Sequence, residues 1–254
     1  MAYVTVKDFN NTLKNISNKT LYTKDTADLD TNNLNKTINC NNFSFTDFMD
    51  LLTYKEVEIN LTSNLTTTIY EVGSIVNGIT LTANVIKGSS KISKIEFYKD
   101  GVFLIDTTID VENGGNFTYT YRLDINSTTE FKAIVICEDG QTKEAKLNIN
   151  FYNAYYYGVT AKSINDIVDT DIVGLTKDVT SKANKDYSFT THNEKAIIAY
   201  EKSYGLLKSI LDENSFENIY SFDYKEIAIK SVPYYVYVSK TPFSITDFKY
   251  NFKY

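Results

Sequence analysis

The chain has 254 residues and a formal charge of −6, with 43% hydrophobic and 23% charged residues. That is enough apolar material for a real core and enough length for two domains. Lysine supplies 25 of the 26 basic residues, Arg122 is the one arginine, and histidine occurs once, at His192. The balance excludes a positive field for nucleic acid, guanidinium forks for phosphate, and any mechanism needing two imidazoles.

The first residues carry no apolar run of the ~7–15 residues that a secretory leader needs, and no segment approaches the ~20 apolar residues of a membrane span. Cys40 and Cys137 make no stapling framework; two free thiols fit a reducing cytosol, with a single disulfide as the alternative. The Asn-x-Ser/Thr triplets at Asn15, Asn18, Asn60 and Asn126 follow from an Asn- and Thr-rich composition rather than from glycosylation.

Residues 1–55 read as an N-terminal helical arm. Thr5-Val-Lys-Asp8 resembles a capping box, and Phe9, Leu13 and Ile16 follow at helical spacing. A polar stretch from Asp25 to Asn42 then leads to a second short apolar patch with Phe45, Phe48 and Leu52. Neither patch makes a core alone. Each is a candidate assembly contact, the alternative being packing against the chain's own next domain.

Residues 56–152 change period from 3.6 to 2. Alternation runs through 80–86, 92–98, 102–109, 117–123, 131–137 and 145–151, with Asp100-Gly101, Asn113-Gly-Gly-Asn116 and Asp139-Gly140 as reversals. Short strands with turns at this spacing predict an immunoglobulin-like antiparallel β-sandwich. Residues 153–254 predict a further, tyrosine-rich β domain: residues 151–254 hold 14 of the 21 tyrosines and both prolines. The reading there is a short helix plus loop over 163–179, a buried strand at 196–200 and a helical turn around Leu206, Leu207, Ile210 and Leu211. Strands are expected at 216–222, 224–230, 234–239 and 245–252. The expected fold class is therefore mainly β, with an arm of short helices ahead of a sandwich and a second β-rich domain.

Catalytic and metal chemistry find little footing. His192 lies in a polar turn with no nucleophile elbow anywhere in the chain. The acidic pairs (Asp106 with Asp110 and Glu112, Asp169 with Asp171, Asp212 with Glu213) are of the kind any acidic chain offers, and zinc, calcium-loop and nucleotide motifs are missing. No catalytic, cofactor or metal residue is assigned, and no cofactor is expected. The aromatic runs say more. Tyr155-Tyr156-Tyr157 and Tyr234-Tyr235-Val-Tyr237 place rings on both faces of strands, so one face can pack while the other binds a wet surface; the alternative is that they divide between core and ordinary surface.

Several segments, taken in order over residues 45–254, resemble structural proteins of tailed bacteriophages of the fibre, baseplate and appendage kind. They are Phe48-Met-Asp-Leu-Leu-Thr-Tyr, Tyr70-Glu-Val-Gly, the run from Leu81 to Gly101, Asn113-Gly-Gly-Asn-Phe-Thr-Tyr, Tyr156-Tyr-Gly-Val, Ala199 to Ile210, and Tyr235-Val-Tyr-Val-Ser-Lys-Thr-Pro. Glu201 departs from the pattern, where proline is expected after the tyrosine. The resemblance implies a non-enzymatic virion part that assembles through its N-terminal arm as a homo-oligomer, trimer or higher, with other virion proteins. The charge balance and the short apolar runs add the expectation of no nucleic-acid partner and no membrane insertion, with the chain made in a bacterial cytoplasm and carried in the virion. The alternatives are a module binding host-surface glycan, a head fibre or decoration protein, and a polysaccharide hydrolase.

Overall fold

The computed structural model describes residues 55–108, 111–244 and 247–254. The expected arm, with Phe9, Leu13, Ile16, Phe45, Phe48 and Leu52, lies outside them, as does Cys40. The described chain is mainly β. It divides into two compact units: the first runs through residue 65 and takes in 77–123 and 129–148, the second 66–76, 124–128 and 149–254. The sequence suggests contiguous domains meeting at 152/153, whereas both units here are discontinuous.

The first unit is built from β1 (Glu58–Ser63), β3 (Val76–Ile86), β4 (Ile92–Lys99), β5 (Val102–Thr107), β6 (Gly114–Ile125), β7 (Thr129–Cys137) and β8 (Thr142–Tyr152). One sheet has the order β1-β3-β6; the other runs β8-β7-β4-β5. The chain changes sheet between β3 and β4, between β5 and β6, and between β6 and β7, which is Greek-key connection of immunoglobulin-like type. Alternation is clean where one face is covered: Ile79, Leu81, Ala83 and Val85 of β3 and Phe131, Ala133, Val135 and Cys137 of β7 are buried. Rings lock the two sheets together, Phe97 of β4 against Tyr119 of β6 (5.7 Å) and Phe131 of β7 against Tyr121 of β6 (5.5 Å).

Turn chemistry fixes the register. Asp100 and Gly101 both have positive φ, 49° and 79°, as a two-residue hairpin joining β4 to β5 requires. Gly114 opens β6 at φ +75°, and a Cβ there would lie 2.5 Å from the Val85 carbonyl oxygen. Only glycine fits both demands.

The second unit has a five-stranded sheet, β10 (Thr176–Val179), β9 (Ala154–Thr160), β12 (Lys195–Glu201), β15 (Val232–Ser239) and β14 (Phe222–Ile229), in that order, antiparallel throughout. A three-stranded sheet, β11 (Lys185–Thr190), β16 (Asp247–Lys253) and β13 (Ser209–Asp212), completes it. Strand β2 (Ile69–Glu71) pairs in parallel with residues 150–152 at the end of β8, and the Phe151 amide donates to the Thr128 hydroxyl (3.1 Å). Those pairings are why 66–76 and 124–128 belong with this unit.

One core lies between the two sheets, holding Tyr155, Tyr200, Ile210, Tyr237, Phe248 and Phe252 among others. The opposite face of the five-stranded sheet is buried too, where Tyr156, Ile197, Ala199, Tyr234 and Val236 pack against Ile167 and against Ile172 of the short helix α1 (Asp169–Val173). Lys225 of β14 holds that cover in place, its Nζ donating to the carbonyls of Asn165 (3.1 Å) and Ile167 (2.7 Å). Two local expectations change. The helical turn around Leu206–Leu211 is an extended segment ending in β13, because Ile210 gains a place opposite Phe252 in the inter-sheet core. Residues 216–221 are a loop and a 3₁₀ turn (Ile219–Ser221) rather than a strand, and β14 begins at Phe222.

Candidate binding surfaces

The six tyrosines expected to offer a binding surface divide by strand face. Tyr155 and Tyr237 enter the inter-sheet core, while Tyr156 and Tyr234 enter the core beneath the helical cover; all four are buried. Their surface role is corrected by this placement: the expected free face of the sheet is covered by residues 164–173. Tyr157 and Tyr235 are half-buried, Tyr157 stacking on Tyr187 at 4.0 Å.

Tyr237 and two neighbouring core rings also use their hydroxyls structurally. Tyr200 donates to the Gly205 carbonyl (3.0 Å), Tyr187 donates to Asp178 (2.9 Å), and the Tyr237 oxygen accepts from the Leu207 amide (3.2 Å). Burial pushes the phenol groups of Tyr187, Tyr200 and Tyr237 above the ordinary tyrosine value and that of Tyr250 to about 12, so all stay neutral near pH 7.

Three of the carboxylates considered as acid pairs serve as local ties. Asp171 accepts from Lys162 and from the Val168 amide, and both contacts hold its carboxyl below the ordinary range. The Asp212 Oδ1 accepts from the amides of Asn214 (3.0 Å) and Phe216 (2.9 Å), and Glu112 pairs with Lys91 (3.0 Å). Asp110 lies outside the described residues. His192 is exposed in the turn before β12, and Cys137 is a buried free thiol. Among the described residues no group of three or more His, Cys, Asp or Glu is placed to hold a metal ion, and no helix is long and apolar enough to cross a membrane.

Two surfaces emerge that residue patterning did not single out. In the first unit β5 is a sheet edge, bonded on one side only to β4, and it exposes Val102 (67%), Phe103 (51%) and Ile105 (44%). Its one charged residue is Asp106. Leu104 sits at a register shift opposite Phe97/Tyr98, a bulge that twists the edge without charging it. In the second unit, Leu206, Ile219, Tyr220, Tyr224 and Lys240 line a cleft of about 320 Å³ floored by Leu207, Phe222 and Tyr237. Alternation marked 102–109 as a strand; that it forms an edge depends on pairings between distant segments.

No family model matches the chain, and no curated protein matches it. Among solved structures, the fibronectin(III)-like modules of Clostridium thermocellum CbhA are 19% identical over 37% of this chain and 94% of theirs, with a TM-score of 0.29. The CARDB domain of a Pyrococcus furiosus protein, solved with di-metal ions, is 9% identical over 39% of this chain and 94% of its own, with a TM-score of 0.27.

Proposed function

We propose that this protein is a non-enzymatic assembly component, a structural part of a bacteriophage tail, baseplate or fibre that functions in multiple copies. The observation supporting this reading is the β5 edge. A sheet edge presents unpaired amides and carbonyls, and chains that stay monomeric guard such edges with lysine, proline or cover. Here three of six residues are exposed apolar side chains, two of them β-branched, the composition that favours strand addition. In this reading β5 is covered in the assembled particle, residues 1–55 supply the attaching segment, and the second unit faces outward. The resemblance noted in the sequence adds the virion setting.

Sedimentation velocity on the whole chain is the test. An assembled species is expected, shifting toward monomer in Phe103→Lys and Ile105→Lys, which alter exposed positions and leave the core intact. Mass spectrometry of purified particles is expected to find the chain. A monomer at high micromolar concentration that both lysine variants leave unchanged, together with absence from particles, would overturn the proposal.

A further inference from the structure

We propose that the cleft between the 206–207 segment and β14 is a binding site for a neutral hexopyranose, the terminal or internal unit of a glycan. The inference goes beyond the assembly reading and does not depend on it.

Three features of the cleft carry the argument. The first is a pair of free rings. Tyr220 is 84% exposed and Tyr224 53%, and both line the cleft beside Leu206. In a unit whose other tyrosines are buried or half-buried, these two face water. Tyr224 is held flat against buried Tyr237 (5.3 Å, 23°) and edge-on to Tyr235 (6.1 Å), so its outer face is fixed in direction. A tyrosine face matches the apolar C–H face of a pyranose, while its hydroxyl tolerates the water at the sugar's rim.

The second feature is the preorganisation of the loop carrying Tyr220. Asp212 ties the amides of Asn214 and Phe216, and the Glu217 Oε1 accepts from the amides of Ile210 (3.0 Å) and Ile219 (2.8 Å). The Lys240 amide donates to the Ser221 carbonyl (2.8 Å), fastening the end of the loop to the segment after β15. A loop fixed in this way does not lose its own freedom when a ligand arrives, which raises affinity for a small partner.

The third is size and charge, which select the occupant. Leu206, Tyr220 and Tyr224 together expose on the order of 400 Å² of side chain, judging from the area such side chains present. A stable protein interface needs about 800 Å² from each partner, so the patch is too small for a second copy of the chain and suits a ligand of one or two rings. The cleft volume of about 320 Å³ lies at the small end of ligand sites. Lys240 lines its rim, and its ammonium lies 3.8 Å from Asp223, so the one cation there is already paired. It can still donate to a hydroxyl. A cation balanced by a carboxylate is a poor anchor for an anion, which favours a neutral ligand over a phosphate or carboxylate.

The test is titration of the full chain with maltose, cellobiose, lactose and mannobiose, followed by saturation-transfer NMR and by tyrosine difference absorbance. At least one sugar is expected to bind saturably, at about millimolar strength for so small a contact. Tyr220→Ala and Tyr224→Ala should each weaken binding about tenfold, the usual cost of one aromatic anchor. Phe103→Lys, on the other unit, should alter sedimentation and leave sugar binding unchanged, which separates failure of this proposal from failure of the assembly reading. Absence of saturable binding to all four sugars, or binding that neither tyrosine variant weakens, overturns it. So does a Tyr220→Ala variant whose main effect is loss of self-association, which would make the patch a protein interface.

Discussion

The sheet β8-β7-β4-β5 of the first unit and the five-stranded sheet of the second use the same antiparallel pairing but bury different amounts of side chain. In the first, β7 alternates strictly, with every second residue buried and Glu130, Lys132, Ile134 and Ile136 half-buried on the other face. In the second, β12 and β15 carry Ala196–Tyr200 and Tyr234–Ser239 with hardly an exposed position, because one face meets the three-stranded sheet and the other the helical cover. A central strand covered on both sides has no polar face to alternate with. The aromatic wealth of the second unit is therefore largely filling: large rings span the distance between layers, and the hydroxyls of Tyr187, Tyr200 and Tyr237 find partners at the edges of the core.

Removing a ring from the inter-sheet core should break this comparison most severely. Tyr200→Ala is expected to cost about 3–5 kcal/mol, read as a lower urea midpoint, whereas Tyr220→Ala on the same unit should leave the midpoint nearly unchanged. Equal effects would mean that the buried and exposed rings are not distinct populations. Next in size is Gly114→Ala in the first unit, where positive φ and the Val85 carbonyl both oppose a Cβ. A loss of about 1–3 kcal/mol is expected, and a variant as stable as the parent would refute that turn geometry.

Lys225→Met sharpens the comparison by loosening the cover alone. Losing two charge-assisted hydrogen bonds to the Asn165 and Ile167 carbonyls should cost about 1–2 kcal/mol. Faster amide exchange should be confined to residues 164–173; uniform exchange across the unit would contradict a separate cover.

The smallest effect belongs to Glu217. Burial pushes its carboxyl up, but hydrogen bonds from Ser209, Ile219 and Ile210 outweigh this and leave it below its ordinary value of 4.5. A group depressed on folding stabilises fully above its unfolded pKa, and that contribution is lost as pH falls through the folded value. Thermal unfolding from pH 7 to pH 3 should therefore show a shallower acid decline in Glu217→Gln than in the parent. Parallel declines would remove Glu217 from the account.

Much of the first unit is legible in residue order, because its signals are local: Asp100-Gly101 fixes a hairpin, and the 131–137 alternation fixes a face. The second unit resists for a physical reason. Whether Tyr156 and Tyr234 are displayed or buried depends on residues 164–173 folding over them, and no pattern at 155–157 reports that. Leu206, Leu207, Ile210 and Leu211 have helical spacing, but pairing with Phe252 some forty residues later wins over local preference. The exposed β5 edge and the Tyr220–Tyr224 cleft likewise arise from which strands become neighbours.

The interleaving of the two units carries a consequence for inheritance. A β module made from one continuous stretch can be exchanged between genes by a single crossover at its boundary. Here a crossover at residue 149 would deliver a second unit stripped of β2, of Tyr70 stacked on Phe151 at 5.6 Å, and of Glu71, which pairs with Lys177 at 3.0 Å. Recombination that preserves the fold must carry residues 66–254 together, so the halves are expected to diversify as one lineage.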